Sequence, residues 1–290
     1  MNLQQLRTLV AIHDHNGFAD AAASVFLTPA AISQQMRGLE DELQVALFDR
    51  STRPPRLTPH AVTLVDAARD VLARFDAFTA KARAEGEIAG TLTLGSATGI
   101  TSALVPKALA ALREKYPRMQ VRIEEGLTDH LISRVRRRAI DAAIITEPLV
   151  PESGMEVLPI TTEPLMVVAP KSIKDRGWKN VLTGRPFLRL NRKSGVGVLI
   201  DVTLRRAGVV VDEAMELDSS ESIVGLVAAG LGVGVVPAGR LKNLNLTRLR
   251  TLAFGTPHVH RRVVLIERND ETRSELAAIL YRQMTDLTDA

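Results

Sequence analysis

Between residues 61 and 82 apolar side chains recur at Ala61, Leu64, Ala68, Val71, Phe75, Phe78 and Ala82, with gaps of 3, 4, 3, 4, 3 and 4. This is the heptad spacing of a long helix carrying one continuous apolar seam. Thr58-Pro59 opens it: the hydroxyl caps a free backbone N–H, and proline suits the first helical position because no donor is needed there. The helix is expected to run to about Glu87. So short a seam seldom stands alone in water, so the helix reads as a dimerisation element, with packing against its own chain as the alternative. Gly86 and Gly90 mark a hinge, and past them the period changes, with Thr91-Leu92-Thr93-Leu94 alternating as a strand does. One long helix thus separates an all-helical N-terminal part from a later part of different architecture.

The later part alternates strand and helix. Helices are expected at 102–116 and 128–139, with strands at 121–125 and Ala142–Thr146. A second set opens at 165–171. It continues with a strand at 187–190, a helix at 197–207, a strand near 209–217, a helix at 221–229 and a strand at Gly232–Val236. Val263–Ile266 is a late strand and 271–287 a closing helix. Such alternation predicts parallel sheet, here in two α/β lobes with a ligand cleft between them.

The N-terminal part reads as three helices and a basic loop. Leu3, Leu6, Leu9, Val10 and Ile12 recur at helical spacing over 2–14, and an alanine-rich helix follows over 18–26. Thr28-Pro29 opens a third helix, Pro29 to about Leu43, with Ile32, Met36, Leu39 and Leu43 facing inward. Ala30, Ser33, Gln34 and Arg37 then lie on other faces, small enough at the helix start to enter a groove and polar enough to bond to base edges or phosphates. Arg50, Arg53 and Arg56 sit on a short loop stiffened by Pro54 and Pro55, fit to track a phosphate backbone. Residues 1–60 carry five arginines against six carboxylates, a net charge of −1. Any affinity for nucleic acid must come from local placement: four of those arginines fall between 37 and 56.

No catalytic constellation stands out. There is no cysteine, which excludes disulfides, thiolate metal sites and thiol redox chemistry. His258-x-His260 lacks further ligands at metal spacing, so no metal is expected. Gly230-x-Gly232-x-Gly234 precedes a strand instead of following one, so the glycines read as a tight turn and close packing; no cofactor is expected. The first residues do not form a signal peptide and no apolar run reaches membrane-spanning length, so a cytoplasmic protein without membrane contact is expected. Hydroxyls and backbone N–H groups at strand-to-helix turns are the candidates for holding a small anion: Ser96, Thr98, Thr128, Thr146, Ser194, Gly195, Ser219 and Ser220. Arg189, Arg192 and Lys193 beside them would favour an acidic ligand, and a solvated loop explains them equally well.

A set of residues at fixed spacing now carries a resemblance. Gly17-Phe18, Ala21-Ala22, Leu27-Thr28, Ala31-Ile32-Ser33, Gln35, Leu39-Glu40, Glu42-Leu43, Leu47-Phe48, Arg50 and Leu57-Thr58 resemble the LysR-type transcriptional regulators. Thr91–Ala97, Asp141-Ala142-Ala143-Ile144 and Ala229–Pro237 extend the likeness over nearly the whole chain. The resemblance implies a winged helix-turn-helix over 1–58, with Thr28, Pro29, Ala30, Ser33, Gln34, Arg37 and the three wing arginines on DNA, and a linker helix over 59–89. It also implies a two-lobed effector domain of the periplasmic-binding-protein (type II) kind over 90–290. Lobe I would hold about 90–161 and 267–290, and lobe II about 162–266. The expected partners are double-stranded operator DNA, a small-molecule effector of anionic character, and further copies of the chain, as dimer or tetramer. The sequence departs from the family at Gln44, where glycine is usual before the wing, at Pro29, where glutamine is frequent, and at Ala61, where glycine is usual. A solute-binding protein with an accessory helical domain is the competing class.

Overall fold

The structure, a computed structural model, describes residues 1–15, 17–52, 54–83, 88–100, 105–241, 247–270 and 274–289. The chain forms two compact units, Met1–Gly90 with Arg137–Ala139, and Thr91–Arg136 with Ile140–Ala290.

The first unit holds α1 (Leu3–Asp14), α2 (Phe18–Ser24), α3 (Pro29–Leu43), a hairpin of β1 (Phe48–Asp49) and β2 (Arg56–Leu57), and α4 (Pro59–Arg83). Asn2 and Gln5 cap α1 reciprocally. Thr28 and Thr58 each accept a backbone N–H at the start of α3 and α4, from Ala31 at 3.2 Å and Ala61 at 3.1 Å. One core joins the helices: Leu9, Ile12, Ala21, Ile32, Met36 and Leu39 are buried together with Ala61 and Val65 of α4. The first half of the apolar seam is therefore covered by the chain itself. Leu64 packs on the same core, and Ala68 is buried. Farther along the seam Val71, Phe75 and Phe78 are exposed. Arg69, buried, ties α4 to the end of α1 by pairing with Asp14 at 2.5 Å. Burial alone would raise the Asp14 pKa, but the hydrogen bonds and charge of Arg69, and then of His13, outweigh it and hold the carboxyl below its ordinary 3.8.

The second unit is a nine-stranded sheet of β3 (Gly90–Ala97), β4 (Met119–Gly126), β5 (Ala142–Thr146), β6 (Met155–Pro170), β7 (Pro186–Leu190), β8 (Asp212–Leu217), β9 (Val233–Pro237), β10 (Leu249–Ala253) and β11 (His260–Arg268). Strand order is β4-β3-β5-β11-β6-β9-β7-β8, with β10 on β6. Helices α5 (Val105–Lys115), α6 (Thr128–Arg136), α7 (Trp178–Leu182), α8 (Gly195–Arg206), α9 (Ser220–Ala228) and α10 (Glu275–Asp289) complete it.

The expected parallel sheet is mixed. β3 and β5 run parallel, as do β7, β8 and β9, but β6 and β11 are antiparallel to each other and to their outer neighbours. Strand β6 begins ten residues before the expected 165 because its prolines mark irregularities, not its end. The β6–β11 register shifts where Pro159 faces Val264, and past Pro164 the strand turns from β11 to β9. Strand β11 pairs with β5 from Val263 to Glu267. The helix expected over 128–139 stops at Arg136, and Arg138 takes a left-handed backbone, φ 57°. Gly86 of the expected hinge and the end of the expected linker helix lie outside the described residues. Among the described residues no helix is long and apolar enough to cross a membrane.

Candidate functional site

Two sites emerge, one in each unit. In the first, α3 buries Ile32, Met36 and Leu39 on one side. Thr28, Pro29, Ala30, Gln34 and Arg37 are exposed on the other, and Ser33 is half-buried. The helix presents a small, polar N-terminal face beside one cation. Thr28 combines this position with its cap, so its hydroxyl oxygen already accepts a backbone donor. Phe26, just before the cap, is 95% exposed and takes a left-handed backbone, φ 57°. A phenylalanine at a helix boundary reads from sequence as core, which is why it was not among the expected residues. Its strained backbone and full exposure mark it instead as a surface group beside the start of α3.

The wing is anchored from below. Glu40 accepts the backbone N–H groups of Leu47 and Phe48 at 2.8 and 3.1 Å and pairs with Arg50 at 2.5 Å. Arg50 is thus partly a structural residue, with about half its side chain exposed. At the tip, Asp49 accepts from the hydroxyl and N–H of Ser51, and these bonds hold its carboxyl below the ordinary value. Arg56 is exposed on β2. Arg53 lies outside the described residues.

In the second unit a cavity of about 410 Å³ opens at the C-terminal ends of the strands, the usual place for a ligand in α/β sheets. Seven of the eight expected residues line it: Thr98 after β3, Thr128 at the start of α6, Thr146 at the end of β5, Ser194 and Gly195 at α8, and Ser219 and Ser220 at α9. Ser96 does not; it is fully buried within β3 opposite Ile144. Three helix N-termini therefore converge on one space. Ser194 and Ser219 act as caps, each accepting a backbone N–H, from Gly197 at 3.0 Å and Ser222 at 3.2 Å. Thr128 is different: its side-chain oxygen has no hydrogen-bond partner and the residue is 5% exposed. A Cβ on Gly195 would lie 3.1 Å from that oxygen and 2.8 Å from the Cβ of Thr146, so only glycine keeps this floor open.

The expected basic flank is a correction. Arg189 is buried and pairs with Asp201 and Glu213; Arg192 pairs with Glu213 and faces Glu216. Burial would raise the Glu213 pKa, yet the hydrogen bonds and charges of the two arginines lower it. These guanidinium groups are held by carboxylates outside the cavity, and Lys193 does not line it. Arg261 of β11 does, and it was missed because it sits inside a strand and not at one of the strand-to-helix turns that supply the expected hydroxyls. Its guanidinium pairs with its cross-strand neighbour Glu163 at 2.5 Å. His258 and His260 lie with rings 4.7 Å apart, and the Nε2–H of His258 donates to the Leu165 carbonyl. No group of metal-ligating side chains occurs among the described residues.

Residues 85–288 match the family model described as the LysR substrate binding domain, and residues 3–62 match that of the bacterial regulatory helix-turn-helix protein, lysR family. The chain belongs to the LysR family. This LysR-family regulator joins a helix-turn-helix DNA-binding unit to a domain that binds a small-molecule effector. It is 30% identical to a probable hydrogen peroxide-inducible genes activator of Streptomyces viridosporus, over 99% of this chain and 95% of that one. To the DNA-binding transcriptional dual regulator OxyR of Escherichia coli it is 29% identical, over 82% and 79%. Among solved structures it resembles a full-length OxyR variant from Pseudomonas aeruginosa, with a TM-score of 0.74 and 26% identity over 98% of this chain and 94% of that one. The family excludes the expectation of a solute-binding protein with an accessory domain.

Proposed function

We propose that this LysR-family regulator reads operator DNA with the N-terminal face of α3, through Thr28, Pro29, Ala30, Ser33, Gln34 and Arg37, while Arg50, Arg53 and Arg56 contact phosphates. The observation that carries this is the split of α3 into a fully buried apolar side and an exposed face of small and polar residues at its N-terminus. Phe26 adds an apolar contact to sugar or a thymine methyl at the edge of that face. The exposed half of α4 joins two copies. The cavity at the ends of β3, β5, β7 and β9 takes the effector, and its occupancy shifts the two lobes between arrangements that space the paired DNA-binding units differently. The protein acts in the cytoplasm, as a regulator and not as an enzyme. Hydrogen peroxide, which the names of relatives mention, has no thiol to oxidise in these 290 residues; the effector is bound non-covalently.

Salt titration of binding tests the interface. With an operator recovered by selection, Arg56→Ala lowers the slope of log K against log salt by about 0.9, one phosphate contact. Phe26→Asn, which suits a left-handed backbone, weakens binding about tenfold and leaves the slope unchanged. An unchanged slope for Arg56→Ala, or unchanged affinity for Phe26→Asn, contradicts the assignment.

A further inference from the structure

We propose that the cavity takes a small zwitterion of the α-amino acid class, with its carboxylate on the floor and its ammonium at the mouth. The proposal rests on reading the cavity as the effector site, and it names the ligand's charge pattern.

The floor is built for an anionic oxygen. It is made by the N-termini of α6, α8 and α9, which carry 9, 12 and 9 residues. Each such terminus directs backbone N–H groups and the positive end of the helix dipole at the space in front of it. Ser194 and Ser219 satisfy one donor each, leaving others of the first turns for a ligand. The independent observation is Thr128: its hydroxyl is buried beside the cavity without a partner. A buried hydroxyl left unpaired costs free energy that a ligand oxygen recovers. Gly195 opposite keeps the approach to it free.

The mouth has the opposite sign. Glu125, Asp218 and Glu221 line the cavity and are exposed. Asp218 is held in place by the side-chain amide of Asn191 at 2.5 Å, and Glu221 accepts from the Ser219 hydroxyl at 3.0 Å. The lining cation, Arg261, is offset by Glu163, which is itself fixed by the backbone N–H of Gly239. The lining therefore carries three carboxylates against one arginine that already has a counter-ion. A plain carboxylate entering this cavity meets three like charges at its entrance. A plain amine finds no anion at the helix termini, where the backbone N–H groups and the positive ends of the helix dipoles repel its charge. A molecule carrying both groups satisfies both ends. Leu127, Leu190, Val196 and Pro237 add an apolar wall, and about 410 Å³ suits an aliphatic side chain of modest size.

Thermal shift and titration calorimetry on the full chain test this with matched sets. The probes are the standard aliphatic amino acids, each beside the acid lacking its ammonium and the amine lacking its carboxylate, such as L-leucine, 4-methylpentanoate and 3-methylbutylamine. The expected result is at least one amino acid that binds tenfold or more tighter than either matched compound, with its shift abolished in Gly195→Ala. A matched acid binding as tightly as its amino acid, and losing its shift in Gly195→Ala, overturns the zwitterion and leaves the effector cavity standing. Shifts that persist unchanged in Gly195→Ala place the ligand elsewhere and overturn both. No shift with any amino acid overturns the zwitterion. Should Gly195→Ala fail to fold, the paired surface change Glu125→Gln with Asp218→Asn serves instead: it weakens the amino acid at least tenfold and leaves the matched acid unweakened, and equal effects on both overturn the proposal.

Discussion

Changing Phe75 and Phe78 together to aspartate makes the protein a monomer in sedimentation and lowers operator affinity about a hundredfold or more, while its melting temperature stays within a few degrees. The size follows from linkage of two half-sites. A dimer converts the second docking event into an intramolecular one, and losing that link removes on the order of 10² in avidity. The small effect on stability follows from where these residues lie. Phe78 is 68% exposed, and Val71 and Phe75 are exposed beside it, so the winged unit does not rely on them. The contrast is with Ala61 and Val65 on the same helix, which are fully buried against α1 and its neighbours. A variant that remains dimeric, or one that is monomeric with unchanged operator affinity, contradicts the role given to α4.

Replacing Glu163 by leucine destabilises the effector domain by about 3–5 kcal/mol, the usual cost of leaving one partner of a buried ion pair without the other. Arg261 and Glu163 face each other across β11 and β6, the two strands in the middle of the sheet order. The pair is at 2.5 Å, and Arg261 is almost entirely buried. Glu163 also accepts the Gly239 N–H, so leucine removes two partners at once. Urea unfolding reads the loss as a lower midpoint. The double variant Glu163→Leu with Arg261→Met recovers part of it, because two apolar groups of similar size replace the ion pair while the Gly239 N–H stays without its acceptor. A loss under about 1 kcal/mol in the single variant, or no recovery in the double, contradicts this account of the pair.

What the sequence made legible follows from which forces act locally. Helix α3 was readable to the residue because Thr28-Pro29 fixes its start by capping and its apolar side repeats every three or four positions. The cavity was readable in its hydroxyls because strand-to-helix turns place caps there, and seven of the eight residues meet in one space. Its charge was not. Arg189 sits next to the right turn, yet its side chain goes to Asp201 and Glu213, a choice made by packing between β7, α8 and β8. The heptad seam of α4 was also only half informative: periodicity says that a face is covered, not whether α1 or a second copy covers it. Strand β6 was hidden by Pro159 and Pro164, which signal breaks locally but serve here as a register shift and a change of partner. Gln44 closes α3 in a left-handed conformation, φ 54°, where the family's usual glycine would bear no Cβ strain. This departure from the family pattern was visible in the sequence, and its conformational cost only in the structure.

Selection from random duplex DNA by the full-length protein tests whether the N-terminal face of α3 reads sequence. The expected result is an enriched sequence with dyad symmetry, its half-sites spaced by about one helical turn or a whole number of turns, and loss of that enrichment in Ser33→Ala with Gln34→Ala. Enrichment of no sequence, or an identical motif recovered by the α3 variant, would contradict it.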